Sequence, residues 1–520
     1  MRFSSLLLKF TFAAATILSA FASSLTSFPA NAVAQTYGVP PSFGGGGGVR
    51  GGGEFEIYDP CAWQDCYRRP PRRPPPPPRH VRPLYPPPHG AIVIPEPYYD
   101  EEFVEPAPQR RPIRKKNEQA RKKPVQNQGI PDAQGQVAGR DFVPDEVLIE
   151  FPLSTPQTEI DALAQQQGVE QLGSQEISLL NSRLHRWRVP AGRSPQTVVQ
   201  TLRADNRVTA ANLNRIYTLQ ESRTDTDVSS GPQQYAADKL GLREAHALTS
   251  GASTLIALID SGADSEHPEL AESVVETHDV IGGDYMAHTH GTGMAGAIVA
   301  HAQVTGAAPG AKLLNVRAFA ANGRTNDGTT FDVVRGMDWA AQKGARVFNL
   351  SFAGPRDPVM ARVVKAALEK KIVVIAAAGN AGPNSPALYP AAEAGVIAVT
   401  ATDANDSLLN VANRGRYVTL AAPGVDILLP APNGSYMVTS GTSVATAYVS
   451  GVAALIIARH PDVDPKEIYE VLTGTARDLG AKGRDKEFGA GLANPVAALE
   501  AMEPIPLTVS APAEDVPPVP

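Results

Sequence analysis

The sequence predicts an α/β protein. A parallel sheet covered by helices on both faces follows a small split βαβ module and a disordered Gly/Pro-rich stretch. Three observations carry this. After about residue 234 come near-continuous apolar runs of strand length: STLIALID, AKLLNVRAF, ARVFNLSF, IVVIAAAG, GVIAVTATD and YVTLAAPG. Strands without polar alternation are buried on both faces, as in covered parallel sheets. Helix-length segments separate several of them, among them TTFDVVRGMDWAAQKG and DPVMARVVKAALEKK, and strands alternating with helices build that architecture.

Taken in chain order, residues 1–34 read as an export signal. Arg2 and Lys9 give a basic start, TFAAATILSAFA an apolar stretch, and ANAVAQ small residues at cleavage spacing, with Ala34 or Ala32 at the cut. The apolar stretch is shorter than the ~20 residues that span a bilayer core, and no later run is expected to span one. The chain is therefore expected to be secreted, or periplasmic at the cell envelope.

Residues 35–141 include GGGGGVRGGG and RRPPRRPPPPPRHVRP, part of the totals of 45 Gly and 47 Pro in 520 residues. Such sequence buries too little apolar surface to offset the entropy of ordering. Its recurrent Arg and Lys suit an anionic envelope surface, although a solvated linker lost on maturation explains them as well. The net charge of −6 offers no reason to expect nucleic acid. The two cysteines, Cys61 and Cys66, allow a local disulfide but no framework, and two ligands are too few for a metal site.

From 142 to 220 a pattern returns. DEVLIEF alternates like a strand, TPQTEIDALAQQQG is helical with a Gly stop, a strand starts near Val169, RLHRWRV alternates, SPQTVVQTLRAD is helical and ANLNRIYTLQ is a strand. The order β-α-β-β-α-β is the split βαβ, ferredoxin-like arrangement. Residues 221–233 are polar and breaker-rich, a linker. The α/β region runs over 234–502, and 503–520 is a Pro-rich tail.

Function in covered parallel sheets gathers beyond the carboxyl ends of the strands, and four residues at element ends are candidates there. Asp260 closes STLIALID, where an orienting acid belongs; a turn aspartate would look the same. His290 lies in HTHGTGMAGAIVA and titrates in the range of a general base, with His288 a rival two residues away. Asn380 closes IVVIAAAGN, where an amide can donate to an oxyanion. Ser443 lies in SGTSVATAYVSG, at a helix start whose free N–H groups favour negative charge. As a nucleophile it needs a neighbouring base; as a helix cap it needs none.

The order Asp…His…Ser separates this chain from the Ser…Asp/Glu…His and His…Asp…Ser scaffolds. With ALIDSG and HPEL around Asp260, HGTGMAG from His290, AAAGN, GTSVA, GAAPGAKL and NLSFAGP, the region 234–502 resembles the catalytic domain of the subtilisin-like serine proteases, the subtilases. The resemblance implies a serine endopeptidase in which Ser443 attacks, His290 carries the proton, Asp260 orients the imidazole, and the Asn380 side chain with the Ser443 N–H holds the oxyanion. It implies a protein or peptide substrate lying as a strand beside Ser351, Phe352, Ala353 and Gly354, with Ala377, Ala378 and Gly379 as the opposite pocket wall and Thr330 and Val333 bordering a more distant pocket.

Three residues depart from the family pattern: Ala353 for Gly, Ala447 for Pro and Gly293 for His. The extra methyl of Ala353 is expected to narrow the pocket mouth. The short connection IVAHAQVT leaves no room for the family's tight calcium loop, so neither a metal there nor a cofactor is expected. In the same light, the 142–220 module resembles a subtilase propeptide, which inhibits its own enzyme until self-cleavage, here expected between about 217 and 233. A monomer is expected. The rival reading is an envelope-binding protein that keeps the protease fold as an inert or weakly active scaffold.

Overall fold

The computed structural model describes residues 141–220, 222–223, 234–321 and 326–502. The expected signal, the Gly/Pro-rich region with Cys61 and Cys66, most of the linker and the tail lie outside the described residues.

The first module consists of β1 (Phe142–Pro152), α1 (Gln157–Gln167), β2 (Glu170–Ile177), β3 (Ser182–Arg188), α2 (Pro195–Arg203) and β4 (Ala210–Leu219). The strands pair in the order β2-β3-β1-β4, antiparallel throughout. Alternation in β1 explains the packing. Val147, Ile149 and Phe151 join Ile160, Leu163, Val198 and Leu202 of the two helices in one core. Leu148, on the other side of the strand, joins Leu184, Tyr217, Phe331, Val333 and Phe352 in a second core shared with the downstream region. The module's sheet is thus buried on both faces, one by its own helices and one by the rest of the protein.

After β5 (Ser222–Arg223), α3 (Tyr235–Lys239) and α4 (Leu242–Leu248), the large sheet begins. It is built from β6 (Leu255–Asp260), β7 (Val274–Asp279), β8 (Lys312–Arg317), β11 (Val347–Leu350), β13 (Val373–Ala377), β14 (Ile397–Thr402) and β15 (Leu420–Pro423). Their order is β15-β14-β13-β11-β6-β8-β7, parallel at every pairing. On one face lie α5 (Thr289–Val299) and α8 (Thr442–Arg459), and on the other α6 (Thr330–Gln342) and α7 (Pro358–Glu369). The remaining elements are the short strands β9 (Ala320–Ala321), β10 (Asn326–Thr329) and β12 (Phe352–Ala353), the hairpin β16 (Ile427–Ala431) and β17 (Ser435–Ser440), and helices α9 (Pro465–Gly474) and α10 (Pro495–Ala501).

Helix ends follow the local chemistry. Asp357 caps α7 through Val359 N–H with Pro358 behind it, and Asp464 and Glu467 form a capping box on α9. Helix α8 corrects one expectation: at 18 residues it is long and apolar enough by composition to cross a membrane. Its burial within the core accounts for that composition, since a helix enclosed by protein is apolar all round.

Candidate active site

Asp260 is the last residue of β6 and fully buried. Its Oδ1 accepts from Ser261 N–H at 2.7 Å, from Ser261 Oγ at 3.0 Å and from His290 Nδ1 at 2.7 Å. A carboxylate can only accept, so His290 carries its proton on Nδ1 and Nε2 is the basic nitrogen. His290 sits in the first turn of α5, and Gly291 lets that turn lie against the end of β6. A Cβ at Gly291 would fall 2.5 Å from the Gly262 carbonyl oxygen. The rival His288 is the cap of α5: its Nδ1 accepts from His290 N–H at 3.3 Å and contacts Ser261 Oγ at 3.0 Å.

Ser443 lies one residue inside α8, so it is not the cap; Gly441 holds that position, with no side-chain capping bond. Helices α5 and α8, which carry His290 and Ser443 in their first turns, pack against each other. Asn380 follows β13, and its Oδ1 accepts from Thr442 N–H at 3.2 Å and Thr442 Oγ at 2.9 Å. Its Nδ2 is buried and has no hydrogen-bond partner among the described residues. Two anchoring bonds therefore fix the amide with its donor group spare.

What fills the cleft is the end of the first module. Strand β4 pairs antiparallel with β10 on one side (Gly328 opposite Tyr217) and with β12 on the other (Phe352 opposite Leu219, Ala353 opposite Thr218). Gln220 N–H donates to the Ser351 carbonyl at 3.2 Å. The Gln220 carbonyl oxygen accepts from Ser443 N–H at 3.3 Å and from Ser443 Oγ at 2.5 Å. Its side-chain Oε1 accepts from Asn380 N–H at 2.8 Å. Beyond it, Ser222 and Arg223 pair with Ser440 and Thr439 of β17. Residues 216–220 thus enter as a strand between β10 and β12 and present one carbonyl to Ser443, and 222–223 lie along the hairpin.

Of the residues expected as walls, Ser351 to Gly354 lie along this path. Ser351 Oγ donates to the Ser443 carbonyl at 3.1 Å, and Phe352, Ala353 and Gly354 run beside β4. Ala377 and Ala378 are buried, and Gly379 N–H donates to Thr442 Oγ at 3.3 Å. Thr330 accepts from Arg215 N–H at 3.0 Å, and Val333 shares a core with Tyr217. Sequence reasoning missed Ser261, Thr442 and Gln220. The first two stand beside motif residues that drew the attention, and Gln220 has no motif at all.

The docked module is held by further contacts. Glu150 is buried and ion-paired with Arg362. Asp338 of α6 accepts from Leu179 N–H at 2.8 Å. Asn214 Oδ1 accepts from Phe331 N–H at the start of α6 at 3.2 Å.

Comparison with known proteins agrees with this geometry. The peptidase S8 model of the subtilase family matches residues 251–491, and a model of the fervidolysin N-terminal prodomain matches 128–214. Thermitase from Thermoactinomyces vulgaris is 36% identical over 244 residues, 45% of this chain and 86% of its own length. A thermophilic serine proteinase from Bacillus sp. (strain AK1) is 30% identical over 357 residues, 67% of this chain and 86% of its own. Among solved structures, fervidolysin from Fervidobacterium pennivorans, described as a keratinolytic enzyme related to subtilisin, superimposes with a TM-score of 0.60. The alignment has 23% identity and covers 72% of this chain and 63% of that one. The chain belongs to the subtilase family: it is a subtilisin-like serine peptidase preceded by a prodomain of the fervidolysin type.

Proposed function

We propose that the chain is the precursor of an exported serine endopeptidase that cuts itself between Gln220 and Glu221. Residues 142–220 are the prodomain and 234–502 the catalytic domain, with 221–233 becoming the new amino-terminal stretch. Ser443 Oγ attacks the Gln220 carbonyl carbon and its proton passes to His290 Nε2, while Asp260 steadies the imidazolium. Ser443 N–H and Asn380 Nδ2 take the oxyanion. His290 then protonates the departing Glu221 amine, leaving Gln220 as an ester on Ser443. Water, deprotonated by His290, releases it. Substrate proteins in trans use the same path once the prodomain has left.

The observation that carries this reading is the Gln220 carbonyl oxygen at both Ser443 N–H and Ser443 Oγ. The spare, buried Asn380 Nδ2 supports it. Export rests on the N-terminal sequence and on the likeness to subtilisins. The basic N-terminal region, in the same proposal, is a solvated linker lost on maturation, with contact to an anionic envelope surface as the second reading.

The test is to express residues 35–520 with and without Ser443→Ala and follow intact mass and N-terminal sequence. The active chain is expected to yield a product beginning at Glu221, and the variant to stay whole. Identical clipping of both, or of neither, refutes self-processing. A fluorophosphonate probe should label the processed chain and not the variant.

A further inference from the structure

The fourth residue before the proposed cut, Tyr217, fills a pocket of unusual make-up for an apolar subsite. Its ring is fully buried and meets Phe352 edge-on at 5.5 Å between centroids. Gly354 makes room for it, since a Cβ there would fall 2.5 Å from the ring. Two carboxyls come close to the pocket through its walls: Thr330, which accepts from Arg215 N–H, also holds Asp357, and Glu393 follows the turn after Tyr389, whose backbone pairs with Gly354. Asp357 is buried and accepts from Thr330 Oγ at 2.5 Å. One carboxylate oxygen of Glu393 is buried and has no hydrogen-bond partner among the described residues, whereas the Tyr217 hydroxyl leans on the Thr330 side chain.

These groups feel one another. Burial, then Asp357 and Glu393, push the Tyr217 phenol well above its ordinary range. Burial raises both carboxyls, and Asp357 adds to the rise at Glu393. The cations acting against this are Arg215 on Asp357 and Tyr217, and Arg356 on Glu393. Arg215 lies in β4, so it leaves with the prodomain.

Resting on the self-processing reading above, we infer that this pocket of the mature enzyme selects a basic side chain, lysine or arginine, four residues before the cleaved bond. Asp357 and Glu393 are the specificity-determining residues. An extended lysine reaches about as far as a tyrosine hydroxyl and brings donors to the spare Glu393 oxygen. It also restores the positive charge that Arg215 takes away. The chain's own tyrosine is the weaker occupant, because it brings no positive charge and leaves the buried Glu393 oxygen unsatisfied. An inhibitory segment that must depart is well served by such a fit.

The test uses the mature enzyme released from the full chain and the peptides acetyl-Xaa-Thr-Leu-Gln-aminomethylcoumarin, with Xaa Lys, Arg, Tyr, Phe or Glu. Lysine and arginine are expected to exceed phenylalanine in kcat/KM by about tenfold, with glutamate last. Glu393→Gln should bring the Lys/Phe ratio close to one. Phenylalanine equal to or better than lysine, or a ratio untouched by Glu393→Gln, overturns the inference. A second measurement needs no catalysis. In the full chain carrying Ser443→Ala, Tyr217→Lys, Tyr217→Met and Tyr217→Glu are compared by limited proteolysis of the 216–223 segment. Lysine should protect better than methionine and glutamate worst; methionine matching or beating lysine overturns the inference. Absence of any peptide cleavage, or cleavage that survives Ser443→Ala, refutes the self-processing protease instead, and the proteolysis series still decides the pocket.

Discussion

Asn380 holds its position through its oxygen and leaves its buried nitrogen without a partner among the described residues. Thr442 donates twice to Oδ1, so the amide cannot flip without losing both bonds. A donor fixed in this way needs no reorganisation when an oxyanion forms, which is why such groups act mainly on the transition state. Asn380→Ala is therefore expected to lower kcat by about 10²–10³-fold, the range known for the corresponding donor in subtilisin, with KM little changed. Steady-state kinetics on one peptide substrate decide it; an unchanged kcat would remove Asn380 from the oxyanion site. Asp260 is organised in the same spirit. Ser261 contributes two hydrogen bonds to the oxygen that also holds His290, so the carboxylate is aimed before the histidine arrives.

Elements in this protein are tied together by single buried side chains. The connection after α5 turns sharply, and Glu269 gathers the N–H groups of Ala302, Gln303 and Val304 at 2.6–3.0 Å, with the Tyr436 hydroxyl at 2.8 Å. One carboxylate thus fastens the short connection IVAHAQVT and links it to β17. Burial pushes the Glu269 carboxyl up, but the backbone and Tyr436 bonds outweigh it, so it ends below its ordinary range. A lowered carboxyl stabilises the fold above the unfolded value of about 4.3 and loses that contribution as pH falls through the folded value. Glu269→Gln should cost about 1–3 kcal/mol at pH 7, with the gap to wild type closing below about pH 4. Thermal melts across pH measure it, and equal melting at pH 7 would contradict it. Nearby, His267 reaches the Ser435 carbonyl at 3.0 Å, so both polar residues of HPEL brace the hairpin that borders the exit path.

For the whole molecule the proposed event is separation of the prodomain. Its core contains His185, 1% exposed, packed against Phe151 and Trp187, with neither ring nitrogen hydrogen-bonded among the described residues. Burial first, then Arg183, against a smaller opposing pull from Asp161, lowers its pKa to about 4. The folded prodomain therefore prefers the neutral ring. Stability present above the unfolded value of about 6.5 is lost as pH falls towards 4, by up to about 3 kcal/mol. Self-cut precursor is expected to shed its prodomain faster near pH 4.5 than at pH 7, and His185→Leu to flatten that dependence. Inhibition followed by peptide cleavage after a pH jump tests it; an unchanged pH dependence in His185→Leu excludes the histidine. The Glu150–Arg362 pair and the Asp338–Leu179 contact then become the links that still hold the departing module.

At the same scale, local pattern and tertiary placement divide the credit. The apolar runs and alternating segments were enough to read both modules, because burial on one or two faces leaves a period in the sequence. The large sheet gained β7 unannounced, and the small sheet its hairpin β16–β17. VVETHD is mostly polar at an edge position, and in the hairpin Pro430 sits inside ILLPA while half of SYMVTS is polar. The motifs named Asp260, His290, Asn380 and Ser443 individually, since each sits at an element end with its own local chemistry. Which carbonyl meets Ser443, and which carboxylates close the pocket around Tyr217, were decided only by folding. Gln220, Asp357 and Glu393 come from segments distant in the chain, and contacts made across such separations leave no spacing that the sequence alone could display.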